Sequence, residues 1–302
     1  MKVNLLLIVT IGCFLLSLQS SLAQSTATKS SAVHISIWDP LGTNGRDAKE
    51  YSNLFSFNVL TGVSAEERAF VFSGLGSVIG GNATGLQFAG LANIIGGEAR
   101  GLTFAGLVNI SDSNQGLTFA GLTNISDRQA GLTFSGLANI ADYMSGLQFS
   151  GLANIADKQS GFTFAGLANV ADQADGFQFG GLGNVAGIVN GFQMAGLYNR
   201  ARVVNGVQFS GLLNVAEESD YPIGLINIIK NGEKGVGVTF DELQNTLAVF
   251  RSGGRVLYGI LGVGYNFKSS KDLMVVEGGF GAHIPCANRF RINTELVSTT
   301  MT

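Results

Sequence analysis

Proline is nearly absent from this chain, with 3 among 302 residues, and cysteine and histidine number 2 each. Charged residues make up only 13%, about half of the usual ~25%. Low charge with 46% hydrophobic residues excludes an intrinsically disordered chain. The lack of proline excludes collagen, although there are 43 glycines. A net charge of −3 lacks the basic footprint of a nucleic-acid binder, so no nucleic-acid partner is expected. Two cysteines exclude a disulfide framework and a multi-cysteine metal site. What remains is an apolar, glycine-rich chain suited to tightly packed β structure or a membrane-embedded barrel.

Residues 1–23 read as an export signal rather than as fold. Lys2 supplies the positive start, Leu5 to Leu18 the uncharged apolar run, and Ser21-Leu22-Ala23 a small-x-small cleavage site. The apolar run is shorter than the ~20 residues needed to span a bilayer, which argues against a retained anchor. A lipoprotein reading through Cys13 is weakened because Thr10 stands where leucine is usual and the apolar run continues past it. Cleavage leaves Cys286 alone, expected as a buried small hydrophobe, so packing and backbone hydrogen bonds must stabilise the fold.

The dominant feature is a tandem repeat. Its ten-residue core first appears complete as Gly85-Leu86-Gln87-Phe88-Ala89-Gly90-Leu91-Ala92-Asn93-Ile94. It begins again at Gly101, Gly116, Gly131, Gly146, Gly161, Gly176, Gly191 and Gly206, a spacing of 16 once and 15 thereafter. A degenerate copy precedes at Ala69 and a truncated one follows at Gly224. Two glycines five residues apart in each copy suggest two fixed corners, needing positive φ or close backbone approach. Glycine at this density argues against helix, and the period-two phase of Leu86, Phe88 and Ile94 argues for strand.

Two architectures follow. In an all-β solenoid each fifteen-residue repeat is one coil, and like residues stack on like. Phe and Leu ladders are then expected inside, with hydrogen-bonded Asn ladders at the corners. Ala89-Gly90-Leu91-Ala92-Asn93 resembles a pentapeptide-repeat unit, in which a small residue precedes a buried Leu by two, and three such sides would complete the coil. About ten coils would make a rod of ~48 Å. The alternative is an outer-membrane β-barrel with one spanning strand per repeat. Leu86, Phe88, Gly90, Ala92 and Ile94 would then meet lipid, while Gln87, Ala89, Leu91 and Asn93 would face a lumen. Barrels alternate short and long connections and carry aromatic girdles, neither of which this sequence shows, so the solenoid is the preferred expectation.

Residues 24–68 read as an N-terminal β cap, 69–229 as the repeat region, and 230–302 as an antiparallel β region. Strands are expected at Val236–Asp241, Thr246–Arg251, Val256–Phe267, Leu273–Ile284 and Arg289–Val297. Turns are expected at Ser252-Gly253-Gly254 and Ser269-Ser270-Lys271. The repeats, with Tyr221-Pro222-Ile223-Gly224-Leu225-Ile226-Asn227 and Leu41-Gly42-Thr43-Asn44-Gly45, resemble an exported bacterial surface-repeat family. Its members carry G-[LVF]-Q-x-[AS]-G-[LF]-x-N repeats. The resemblance implies a cell-envelope address and no assigned activity.

Groups for catalysis are few. His34 and His283 lie in opposite flanks and read as strand residues, and no nucleophile elbow, zinc or P-loop motif occurs. Glu217, Glu218 and Asp220 read as a solvated turn. Asp112, Asp127, Asp142, Asp157 and Asp172 recur every fifteen residues and read as solvated turn aspartates rather than a cation site. The column Gln87, Thr103, Thr118, Thr133, Gln148, Thr163, Gln178 reads as a solvated strand face. No catalytic, cofactor-binding or metal-binding residue is assigned, and no cofactor. The expectation is a non-enzymatic, exported structural or adhesive protein at the cell surface or outer membrane of a Gram-negative bacterium. Its partner would be an unidentified protein or glycan, with membrane association as an added expectation. A barrel acting as channel or anchor is the alternative.

Overall fold

The computed structural model describes residues 27–267, 273–287 and 290–302. The export signal and the turn at Ser269-Ser270-Lys271 therefore lie outside the described residues. The fold is a β-solenoid of about 12 coils with repeats of about 15 residues. The chain divides into two compact units, residues 1–149 and 150–302.

In the first unit, strand Lys29–Trp38 pairs in parallel with Tyr51–Asn58, which pairs in parallel with Glu66–Ser73. From there the coils stack like on like. Ala92–Ala105, Val108–Ala120 and Thr123–Ser135 run parallel, so that Asn93, Asn109 and Asn124 align, as do Phe104, Phe119 and Phe134. The register shift between Ile95 and Glu98 absorbs the extra residue of the one sixteen-residue repeat. In the second unit Ala153–Ala165, Ala168–Gly180 and Gly183–Ala195 repeat the arrangement, with Phe162 on Phe177 and Phe177 on Phe192. Parallel in-register stacking is incompatible with repeats running alternately up and down around a closed cylinder.

The two glycines of each repeat serve different ends. Gly131 holds a left-handed φ of 107°, as do its equivalents from Gly85 (94°) to Gly206 (157°). Gly121 has no such φ, but a Cβ there would overlap the carbonyl oxygen of Gly106 in the coil before.

The interior corrects the sequence reading. Thr118, Ala120, Asn124, Ser126 and Gln129 point inward and are buried, and the same positions are buried in coil after coil. Phe119, Leu122 and Ile125 point outward. The alternation breaks where outward residues adjoin, at Gly121-Leu122-Thr123, Asp127-Arg128 and Ala130-Gly131-Leu132, which makes a three-sided coil. Each side holds only two or so inward positions, filled mostly by Ala, Ser, Thr and the slender amides, with single aliphatic side chains such as Ile95, Met144 and Val189 buried among them, and no ring or leucine column fits there. The expected internal Phe and Leu ladders are therefore external. The Thr/Gln column is not a solvated face but core, and Leu91, the buried leucine of the pentapeptide comparison, is 45% exposed.

A polar core requires paired amides. Asn93, Asn109 and Asn124 each donate one hydrogen to the next asparagine at 2.9 Å. Each gives the other to a main-chain carbonyl of the following coil, those of Phe104, Phe119 and Phe134. The second unit repeats this from Asn154 to Asn214, at 2.8 to 3.0 Å between side chains. Gln208 donates to Gln193 at 3.0 Å and Gln193 to Gln178 at 2.8 Å.

Beyond the last coil, strands Lys234–Phe240, Asn245–Gly253, Leu257–Asn266, Met274–Ala287 and Phe290–Met301 form an antiparallel meander, close to the expected positions. Its small core comprises Leu247, Val249, Tyr258, Ile260 and Val275. The second unit's asparagine ladder ends on this sheet: the Asn227 main-chain N–H donates to Ser252 Oγ at 2.9 Å, and its amide to the Ser252 carbonyl at 3.1 Å. Ser252 and Gly253 are accordingly held in strand, opposite Gly259 and Tyr258, and the chain reverses at residues 254–256 rather than at the expected turn. Cys286 is exposed, not buried. It lies beyond Ala282, the last residue of its strand that pairs with Leu257–Asn266, and among the described residues only the strand Phe290–Met301 pairs with it there.

Candidate contact surface

The outward columns build the most prominent surface feature. In the first unit Phe88, Phe104, Phe119, Phe134 and Phe149 stack with centroids 4.6 to 5.0 Å apart and planes within 9°. That spacing follows from the separation of adjacent strands. In the second unit the equivalent rings Phe164 and Phe179 are tilted at 6.1 Å, and it is the neighbouring column, at the position of Leu132, that stacks, Phe177 on Phe192 at 5.3 Å. Beside the rings run leucine columns, Leu107, Leu122 and Leu137 in the first unit and Leu152, Leu167, Leu182, Leu197 and Leu212 in the second. These leucines are 39–51% exposed, because each is covered only by the coils above and below it.

Charge is confined to the remaining edge. Between Ala69 and Ile229 there are fifteen Lys, Arg, Asp and Glu residues. All but Arg200 fall in the stretch between the Ile/Val position and the next repeat glycine. Five coils within a unit would thus present an apolar area of roughly 800 Å², from strand spacing and strand length, larger than the biggest apolar patch usual on a monomer.

The aspartate column lies on that charged edge, exposed. Burial and the neighbouring Asp127 charge raise the Asp112 carboxyl above its ordinary range. Asp175 is lowered, chiefly by the Gln173 amide at 2.8 Å and further by Asn190 and Lys158. Among the described residues no three His, Cys, Asp or Glu side chains stand together as a metal site.

The other sequence-marked polar residues are occupied structurally. His34 is buried with Nδ1 3.2 Å from Thr43 Oγ1, and burial lowers its pKa. His283 stacks on Tyr258 at 4.5 Å and meets Asn293 at 2.9 Å. The two histidines lie in different units. Glu217 and Glu218 are exposed, and Asp220 accepts from Arg255 at 2.7 and 3.1 Å. On the C-terminal sheet Arg251 pairs with Glu295 at 2.8 Å, and Arg291 pairs with Glu233. The Tyr258 hydroxyl donates to Glu295 at 2.9 Å, and its pKa is pushed up to about 12 by burial and that carboxylate.

One polar group escaped the sequence reading. Glu67 is buried within the first coils, accepting from Asn53 at 3.0 Å and from Ser56 at 2.7 and 2.9 Å. Burial pushes its pKa up to about 7. Its register with Ala83, which aligns with Ala99, is the only sequence signal that it points inward.

Fold and surface together define a β-solenoid with a polar core and an amphipathic exterior. The chain matches no family model, no curated protein and no solved structure.

Proposed function

We propose that this is a non-enzymatic structural or adhesive protein of the bacterial cell envelope, making contact through its outward Phe, Leu and Ile/Val ladders. The observation that supports this most is the segregation of charge: two sides of the coil are apolar and nearly uncharged, while one edge carries almost every ion. Such a division suits one side against an apolar surface and the other in water. The hydrogen-bonded core suits a stiff scaffold, since each amide is tied to two groups of the next coil. The export signal read in residues 1–23 supports the address. Cell fractionation combined with protease treatment of intact cells tests the reading. The chain is expected in the envelope fraction and cleaved from outside. Recovery from the cytosol would overturn it.

A further inference from the structure

We propose that a groove on the second unit binds a single-chain amphiphile with an anionic head, such as an alkyl phosphate. The inference concerns the purified chain and stands or falls separately from the envelope reading.

The groove is open to solvent along one side and has a volume of about 720 Å³, within the range of small-molecule sites. One wall is the outward column Val170, Val185, Arg200, Val215, Ile228, apolar but for Arg200, aligned by strand register and spanning roughly 19 Å over four strand spacings. In every other complete repeat, Ile or Val occupies the place of Arg200. Two residues on, Arg202 stands where five repeats carry aspartate. The coil Tyr198-Asn199-Arg200-Ala201-Arg202 thus departs from the repeat twice, each time by placing a guanidinium in the groove.

Lys230 and Lys234 add two more cations, against the carboxylates of Asp172 and Glu217. This local excess of positive charge sits in a chain whose net charge is −3. None of the six makes an ion pair among the described residues. On the C-terminal sheet, by contrast, Arg251 and Arg291 are both paired. Unpaired guanidinium groups beside apolar side chains suit a head that accepts several hydrogen bonds and a tail that covers the valines. Gly187, which lies between Asp172 and Arg202 in the repeat, also lines the groove.

Calorimetry with dodecyl phosphate below its micelle concentration, dodecyl maltoside and inorganic phosphate tests this. Dodecyl phosphate is expected to bind near one per chain, more tightly than either other probe, and to weaken as salt is added. The variant R200V/R202D restores the residues other coils carry, so folding should persist while affinity falls at least about tenfold. Arg128→Gln, on the first unit's charged edge, should leave binding unchanged. Inorganic phosphate binding as tightly would overturn the tail's role. Equal binding of the maltoside, no salt dependence, or an R200V/R202D chain that binds like wild type would overturn the site.

Discussion

Asn109 lies one coil from Asn124, and its amide donates to Asn124 Oδ1 at 2.9 Å while also donating to the Phe119 carbonyl at 2.6 Å. Removing one member of this ladder strands groups on both sides. Asn124→Ala leaves a donor of Asn109, the Asn139 oxygen and the Phe134 carbonyl without their partner. Chemical denaturation should show a loss of about 3 kcal/mol. Asn124→Leu should be as harmful, although it is apolar.

The glycine corners should respond by geometry rather than by composition. Gly121→Ala would drive its methyl into the Gly106 carbonyl, and should cost about 3 kcal/mol because in-register coils leave no room to part. Gly235→Ala, whose methyl would meet nothing within 4 Å, should be close to neutral in the same melts.

Glu67 should make stability depend on pH. A carboxyl whose pKa rises from 4.5 unfolded to about 7 folded binds its proton more tightly when folded. Its contribution is therefore full below 4.5 and is lost as pH rises to about 7. Glu67→Gln removes the titration. Measured by denaturation at each pH, the stability of the variant relative to wild type should grow by about 3 kcal/mol between acid and pH ~8.

Asn114 is buried with neither side-chain amide atom hydrogen bonded to the protein, between Ala99 and Gln129 in the inward column. Asn114→Ala places there the residue found at Ala99. Calorimetric melting should show a gain of about 1 kcal/mol, the relief of an unpaired amide less a small cavity.

Periodicity made the coil legible and its facing ambiguous. The fifteen-residue repeat and its paired glycines located the stacking, the corners and the asparagine ladder. Strict alternation, however, yields two interchangeable faces, and hydrophobicity placed Phe119 inside where Thr118 belongs. The division of faces drawn for a barrel, with Phe88 outward and Gln87, Ala89 and Asn93 inward, is found on the architecture drawn for a solenoid, except that Leu91 is exposed. The deciding signal was size: Ala89, Ala105, Ala120 and Ser135 share a phase with the Thr/Gln column, as a narrow core requires. The groove was not legible, because Arg200 and Arg202 acquire meaning only beside Lys230, in the truncated last repeat, and Lys234, which lies beyond the repeats.

The claim on which the rest depends is that the small and amide-bearing columns face inward and the aromatic and leucine columns outward. Thiol labelling measures this directly in a Cys286→Ser background, with single cysteines at Thr118 or Leu122 in the purified native chain. Thr118→Cys is expected to be protected until denaturant is added, and Leu122→Cys to label at once. Rapid labelling at Thr118 with protection at Leu122 would contradict the account.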